Sequence, residues 1–175
     1  MKYFFIIISL LYVANLFAID VTKFSTAGFY ELPNTGREAY SMNLAWRFMK
    51  GDVKGKPYSV GFDDSAWQVV SVPHGLEYLP VEASGCANYQ GIAWYRKRFT
   101  PEAKLQGKQL FLHFEAIMGK SEVYVNGKLM KKFYGGYLPV IVDVTDALEW
   151  GEENVIAVKA DNSDDPLYPV GKAQN

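Results

Sequence analysis

The chain has one cysteine, Cys86, and two histidines, His74 and His113, among its 175 residues. One cysteine cannot close an internal disulfide, so stability has to come from a packed core. A reactive thiol needs a low-pKa setting, and none surrounds Cys86, so a small semi-buried loop residue is the expected reading. The two histidines share no ligand spacing, so no metal centre is expected. A charge excess is also missing. The formal net charge of −1 argues against nucleic acid or an anionic membrane surface as the main partner. The sequence contains no GxSxG elbow, P-loop or dinucleotide fingerprint, and no cofactor is expected.

The first eighteen residues differ in kind from the rest. Lys2 gives a short positive start, residues 3–17 are largely apolar, and Ala18 offers a small residue for cleavage before Ile19 and Asp20. This pattern reads as a secretory signal peptide over residues 1–18. The rival is an uncleaved anchor, but the apolar run is short against the ~20 residues that span a bilayer. The expected location is therefore periplasmic or extracellular, with no membrane attachment after cleavage. Residues 19–42 are mixed and weakly periodic, with a turn at Pro33-Asn34-Thr35-Gly36, and read as an N-terminal arm.

What the chain has in quantity is apolar and aromatic residues, 49% and 15%. That is enough for one domain with a real core. The centre of the pattern is residues 107–165, where apolar runs at 109–114, 122–125, 139–144 and 154–160 alternate with turn signals. Asn126-Gly127 between two such runs predicts a two-residue hairpin, because both turn positions need φ above zero. The Val123/Val125 and Ile156/Val158 pairs have the period of two that puts one strand face on a core. Upstream, residues 43–49 predict a strand with Leu44, Trp46 and Phe48 on one face. In residues 62–74, Asp64 or Ser65 is expected to cap a helical turn, and Trp67 starts a strand that Pro73 ends.

Residues 75–90 form a long irregular loop, a length that is more often functional than decorative. Residues 91–99 alternate Ile92/Trp94/Arg96 against Ala93/Tyr95/Lys97 as another strand. Residues 145–150 predict a short helical turn capped by Thr145, with Leu148 inward and Gly151 as the stop. Gly135-Gly136 reads as a bulge or tight connection. The total of about eight strands, with almost no room for helix, predicts an all-β fold, a jelly-roll β-sandwich.

Catalytic residues do not emerge. Glycoside hydrolysis needs two carboxylates roughly 5 to 9 Å apart. Glu115, at the end of an apolar run, is the least ordinary acid, but no partner carboxylate can be assigned to it. His113 lies within a strand as a solvent-face or satisfied core residue. Two polar spots stand out instead. One is residues 161–165, DNSDD, directly after the last apolar strand; the other is Asn88-Tyr89-Gln90, just before the strand that opens at Gly91. Asp and Asn at strand ends are usually turn formers. They are also the groups that hold sugar hydroxyls, since a carboxylate accepts and an amide both donates and accepts.

The ordered series WRF, FDDSAWQVVSVPH, NYQGIAWYRKRF, GKQLFLHFEAIMGKSEVYVNGKLMKKFYGGYLPVIVDVTDAL and NVIAVKADNSD resembles the N-terminal sugar-binding domain of glycoside hydrolase family 2. That family comprises β-galactosidases, β-glucuronidases and β-mannosidases, and the resemblance covers residues 43–172. It implies a galactose-binding-domain-like jelly roll, followed in the family by an immunoglobulin-like domain and a catalytic barrel that carries the acid/base and nucleophile glutamates. Residues 173–175 would begin the linker to those domains, so the chain reads as a non-catalytic fragment of an exported enzyme, with a β-galactosidase first in line. In that branch the first domain lends an Asp and an Asn to the sugar site. The resemblance places them at Asp161 and Asn88, the two polar spots already singled out, with a β-galactoside or related glycan as partner. The alternatives are a free-standing carbohydrate-binding module and the same domain of a β-glucuronidase or β-mannosidase.

Overall fold

The computed structural model describes residues 37–75 and 89–163. Eight strands run through them: β1 Trp46–Lys50, β2 Gln68–Val70, β3 Ile92–Phe99, β4 Phe111–Phe114, β5 Gly119–Val125, β6 Lys128–Gly135, β7 Val140–Asp143 and β8 Asn154–Asp161. The helical content there is two 3-10 turns, Ala103–Leu105 and Thr145–Ala147. All pairings are antiparallel, with one sheet ordered β2-β1-β3-β8-β5-β6 and a second made of β4 and β7. The chain is the all-β sandwich that its pattern of short strands predicts.

The hydrophobic core lies between the sheets. Val123 and Val125 of β5 and Ile156 and Val158 of β8 face Val140 and Val142 of β7, all nearly inaccessible to solvent. Burying each such side chain stabilises the fold by roughly 1.5–3 kcal/mol, which suits a fold built without disulfides. Asn126 and Gly127 turn the β5–β6 hairpin with φ of 48° and 83°, the positive values this tight turn requires. Asn126 does more than turn. Its amide donates to the Ala147 carbonyl and to Oδ1 of the fully buried Asn154, and its Oδ1 accepts the Val155 N–H. At the far edge, Lys128, Lys131 and Lys132 place charges on β6, which discourages pairing with another chain.

The outer face of the large sheet is also covered at its centre, a feature the sequence pattern did not reveal. Arg96 of β3 is fully buried there against Asp64, with Nε to Oδ2 at 2.7 Å. Its guanidinium also donates to the carbonyls of Pro57, Ser59 and Phe62. Trp67 packs edge-on to Phe62, and Tyr58 stacks on Tyr124 at 4.7 Å. Residues 57–67 are thereby pinned across β3, β8 and β5. The alternation expected of β3 holds, with Trp94 and Arg96 on one face and Ala93 and Lys97 on the other, and both faces are buried.

Several local expectations are corrected by the same contacts. Asp64 is no helix cap; its carboxylate is drawn to Arg96, and Asp63 accepts the Ser65 N–H instead. Leu44 does not join Trp46 and Phe48 on the inner face. It is 37% exposed, because Ala45 at φ 57° breaks the extended chain before β1 begins. Thr145 is not the cap of its turn: its hydroxyl accepts the Leu110 N–H and donates to Asp143, and Asp143 accepts the Thr145 N–H. That turn ends at Ala147, and Leu148 is already extended. Of the two readings of Gly135-Gly136, the tight connection holds, since a Cβ at Gly136 would lie 2.6 Å from the Met118 sulfur, whereas the register shift of the hairpin falls at Val123/Tyr124.

Candidate functional site

Asp161 is the last residue of β8 and pairs with Ile92 of β3 on one side and Lys120 of β5 on the other. Ile156 and Val158 point into the core, so the two-residue period turns Lys159 and Asp161 to the opposite, outer face. The side chain is half-buried. Its Oδ1 accepts both the backbone N–H of Ser163, at 2.9 Å, and the Ser163 hydroxyl. Oδ2 takes no hydrogen bond from the described residues. Burial raises the Asp161 carboxyl, but the Ser163 hydrogen bonds, with the charges of Lys120 and Lys159, outweigh it and hold the group below its ordinary 3.8. At neutral pH the site therefore presents an ionised carboxylate with one oxygen open to a donor.

The strand end is shaped by a glycine. Gly119 opens β5 with φ of 85°, and a Cβ there would lie 2.1 Å from the Asp161 carbonyl oxygen. Only a residue without a side chain lets the backbone of Asp161 pass so close.

The second polar spot arrives beside the first. Asn162 sends its Oδ1 to the Gly91 N–H at 2.8 Å and its Nδ2 to the Tyr89 carbonyl at 2.8 Å. Its own N–H donates to the Gly91 carbonyl at 3.2 Å. Tyr89 folds back so that its hydroxyl donates to the Ile92 carbonyl at 2.7 Å, and the Lys50 ammonium lies 4.4 Å from its ring centre. Asn88 lies outside the described residues, as does Cys86; Asn88 is covalently next to Tyr89, one residue from this hydrogen-bonded junction. Asp161 is thus placed on an open strand end, next to the segment that leads from residue 88 into β3.

The other residues considered from the sequence fall elsewhere. Glu115 is exposed just past β4, and His113 is exposed within it. His74 packs edge-on against Phe48 and shares a 3.0 Å hydrogen bond with the Tyr95 hydroxyl, and burial pushes its pKa down. Among the described residues no three His, Cys, Asp or Glu side chains gather as a metal-binding group. Sequence reasoning grouped Asn162 with its neighbours without giving it a part, and it passed over Gly119 and Lys50. Asn162 was visible as the amide-bearing residue beside Asp161. Gly119 had only the weak signal of a glycine opening an alternating strand.

Comparison with known proteins bears on this arrangement. Residues 87–168 match the family model described as glycosyl hydrolase 2 galactose-binding domain-like. The chain is 34% identical over 135 residues to a β-galactosidase of Thermoanaerobacter pseudethanolicus, covering 77% of this chain and 18% of that protein. It is 31% identical over 139 residues to a β-glucuronidase of Formosa agariphila, covering 75% of this chain and 14% of that protein. Among solved structures, the Bacteroides uniformis β-glucuronidase superposes with a TM-score of 0.69 at 28% identity, over 77% of this chain and 16% of that one. The chain therefore spans less than a fifth of the length of these relatives. It belongs to glycoside hydrolase family 2, as a galactose-binding-like N-terminal domain of the β-galactosidase and β-glucuronidase type.

Proposed function

We propose that this domain supplies sugar-binding contacts to an exported family 2 glycosidase, with Asp161 and Asn88 hydrogen-bonding hydroxyls of the terminal sugar of a β-galactoside. The observation that carries this reading is the junction at the end of β8. An ionised carboxylate with an open oxygen stands beside the segment that leads back to residue 88. A carboxylate held in place accepts from a sugar hydroxyl, and an amide both donates and accepts, so the pair can fix the orientation of one ring. The bond-breaking carboxylates belong to the catalytic barrel of the complete enzyme, which lies beyond an immunoglobulin-like domain. The apolar, lysine-led first eighteen residues support export to the periplasm or outside the cell.

A β-glucuronide is the second reading. Lys120 of β5 and Lys159 of β8 act electrostatically on Asp161, and such cations also suit a sugar that carries its own carboxylate.

The test is a hybrid in which residues 43–172 replace the matching domain of the T. pseudethanolicus β-galactosidase. Asp161→Ala should lower kcat/KM by roughly 30-fold, the worth of a hydrogen bond to a charged group. Unchanged turnover would remove the proposed role. Parallel assays with β-galactoside and β-glucuronide substrates decide between the two sugars. Tight binding of galactose, lactose or galactan by the 175-residue chain alone, measured by calorimetry, would instead assign it as a free-standing carbohydrate-binding module.

A further inference from the structure

The side chains on the outer face of the large sheet form rows that run across its strands. The middle row, Arg96, Ala157 and Tyr124, lies under residues 57–67. The next row is Trp94, Lys159, Glu122 and Lys132. It is closed by its own contacts, with the Lys159 ammonium 5.9 Å from the Trp94 ring centre and Glu122 paired with Lys132 at 2.7 Å. The last row is Ile92, Asp161, Lys120 and Tyr134, on β3, β8, β5 and β6. Tyr134 lies two residues after Lys132, so the period of two puts its ring on the face that carries the Glu122–Lys132 pair and Asp161. That ring is 50% exposed, whereas on the same face Trp94 is buried and Tyr124 is stacked under Tyr58. Two strand spacings, about 10 Å, separate the backbones of Asp161 and Tyr134. A hexose held at Asp161 and the next sugar in its chain together cover such a span.

We propose that Tyr134 is a stacking platform for the second sugar of the glycan, which makes the substrate an oligosaccharide rather than a single sugar on a small aglycone. This inference rests on the sugar-binding reading above, and within it on Asp161 alone. One face of a pyranose ring is a patch of C–H groups, and the face of an aromatic ring is the negative side of its quadrupole, so the two attract when stacked. Tyr presents that surface with only two side-chain torsions to freeze. Lys120 of β5 pairs with Asp161 on one side and with Tyr134 on the other, so a single strand fixes the interval between the two contacts.

The hybrid enzyme tests it, with methyl β-galactoside as the single-sugar substrate and a linear β-galactotriose as the longer one. Tyr134→Ala should lower the ratio of kcat/KM on the triose to kcat/KM on the methyl glycoside by roughly fivefold, mainly through KM, the worth of one ring contact. That ratio does not depend on how much of the variant is folded. Tyr134→Phe keeps the ring and should keep the ratio. In the 175-residue chain, NMR titration with the triose should shift the ring signals of Tyr134 together with those of Asp161. An unchanged ratio in Tyr134→Ala overturns the platform and leaves Asp161 its role. So does an equal fall in Tyr134→Phe, or a Tyr134 ring that stays put while Asp161 responds. If Asp161→Ala leaves turnover of both substrates intact, the sugar-binding reading itself fails and the platform falls with it.

Discussion

Asp64→Ala is the sharpest perturbation of this fold. The Arg96 side chain is fully buried, and the Asp64 side chain is 8% exposed. Removing the carboxylate leaves a buried cation without its counter-charge, and such changes cost about 3–5 kcal/mol. Here the carbonyls of Pro57, Ser59 and Phe62 still accept from the guanidinium, which places the loss near the lower end, about 3 kcal/mol. At about 2–4 °C per kcal/mol for a chain of this size, the melting temperature should fall by roughly 10 °C. Lys108→Ala is the control. That side chain is 48% exposed and pairs with the 38% exposed Glu38 at 2.9 Å, away from residues 57–67, and an exposed pair is worth about 0–1 kcal/mol. Urea denaturation of the two variants measures both numbers. A loss below about 1 kcal/mol for Asp64→Ala, or equal losses for the two variants, would refute the view that burial makes the Asp64–Arg96 pair the fastener of residues 57–67.

Three further outcomes follow from single contacts. Gly119→Ala sets a Cβ 2.1 Å from the Asp161 carbonyl oxygen at φ of 85°; it should destabilise by about 3 kcal/mol and displace Asp161, and a urea midpoint matching the parent would contradict the close approach. Asn126→Gly keeps the turn but removes the bonds to Ala147, Asn154 and Val155; chemical denaturation should show a loss of about 2 kcal/mol, because Asn154 stays buried with fewer partners. The Asp161 carboxyl, followed by NMR, should titrate below 3.8, and Ser163→Ala should move its midpoint up. Because the folded pKa is depressed, the stability this group adds is present above the unfolded value near 3.8 and is lost as pH falls through the folded value. An Asp161 midpoint above 3.8 would show that burial, not Ser163, dominates.

The sandwich was legible because β5 buries every second residue and β8 is an apolar run from Val155 to Val158. Val123, Val125, Ile156 and Val158 are all at most 4% exposed, and Asn126-Gly127 announces the hairpin between β5 and β6 by chemistry that few other dipeptides share. The cover on the outer face was not legible. Arg96 and Lys97 lie on opposite faces of one strand, yet both are essentially inaccessible. The partner that makes Arg96 tolerable, Asp64, is 32 residues away. Asp64 also looks like a cap to any reading that stays local, since a short acid before a bulky aromatic satisfies that pattern. A charge inside a strand is informative only once its counter-charge is known, and that is a tertiary fact.

The candidate site divides in the same way. Asp161 could be singled out because an apolar strand ends on it, so its side chain must leave the core face at a sheet margin whatever its partners are. Its link to the segment after residue 88 could not be read, because it depends on β8 lying next to β3 although 54 residues and four strands separate them. That adjacency gives the domain its functional geometry. β8 is bordered on both sides, by β3 and by β5, so its end is held by two neighbouring strands. A group displayed there moves only if the sheet moves. Polar residues at a loose edge such as β2 would carry the same chemistry without that constraint, and orientation of a sugar ring needs the constraint more than it needs the chemistry.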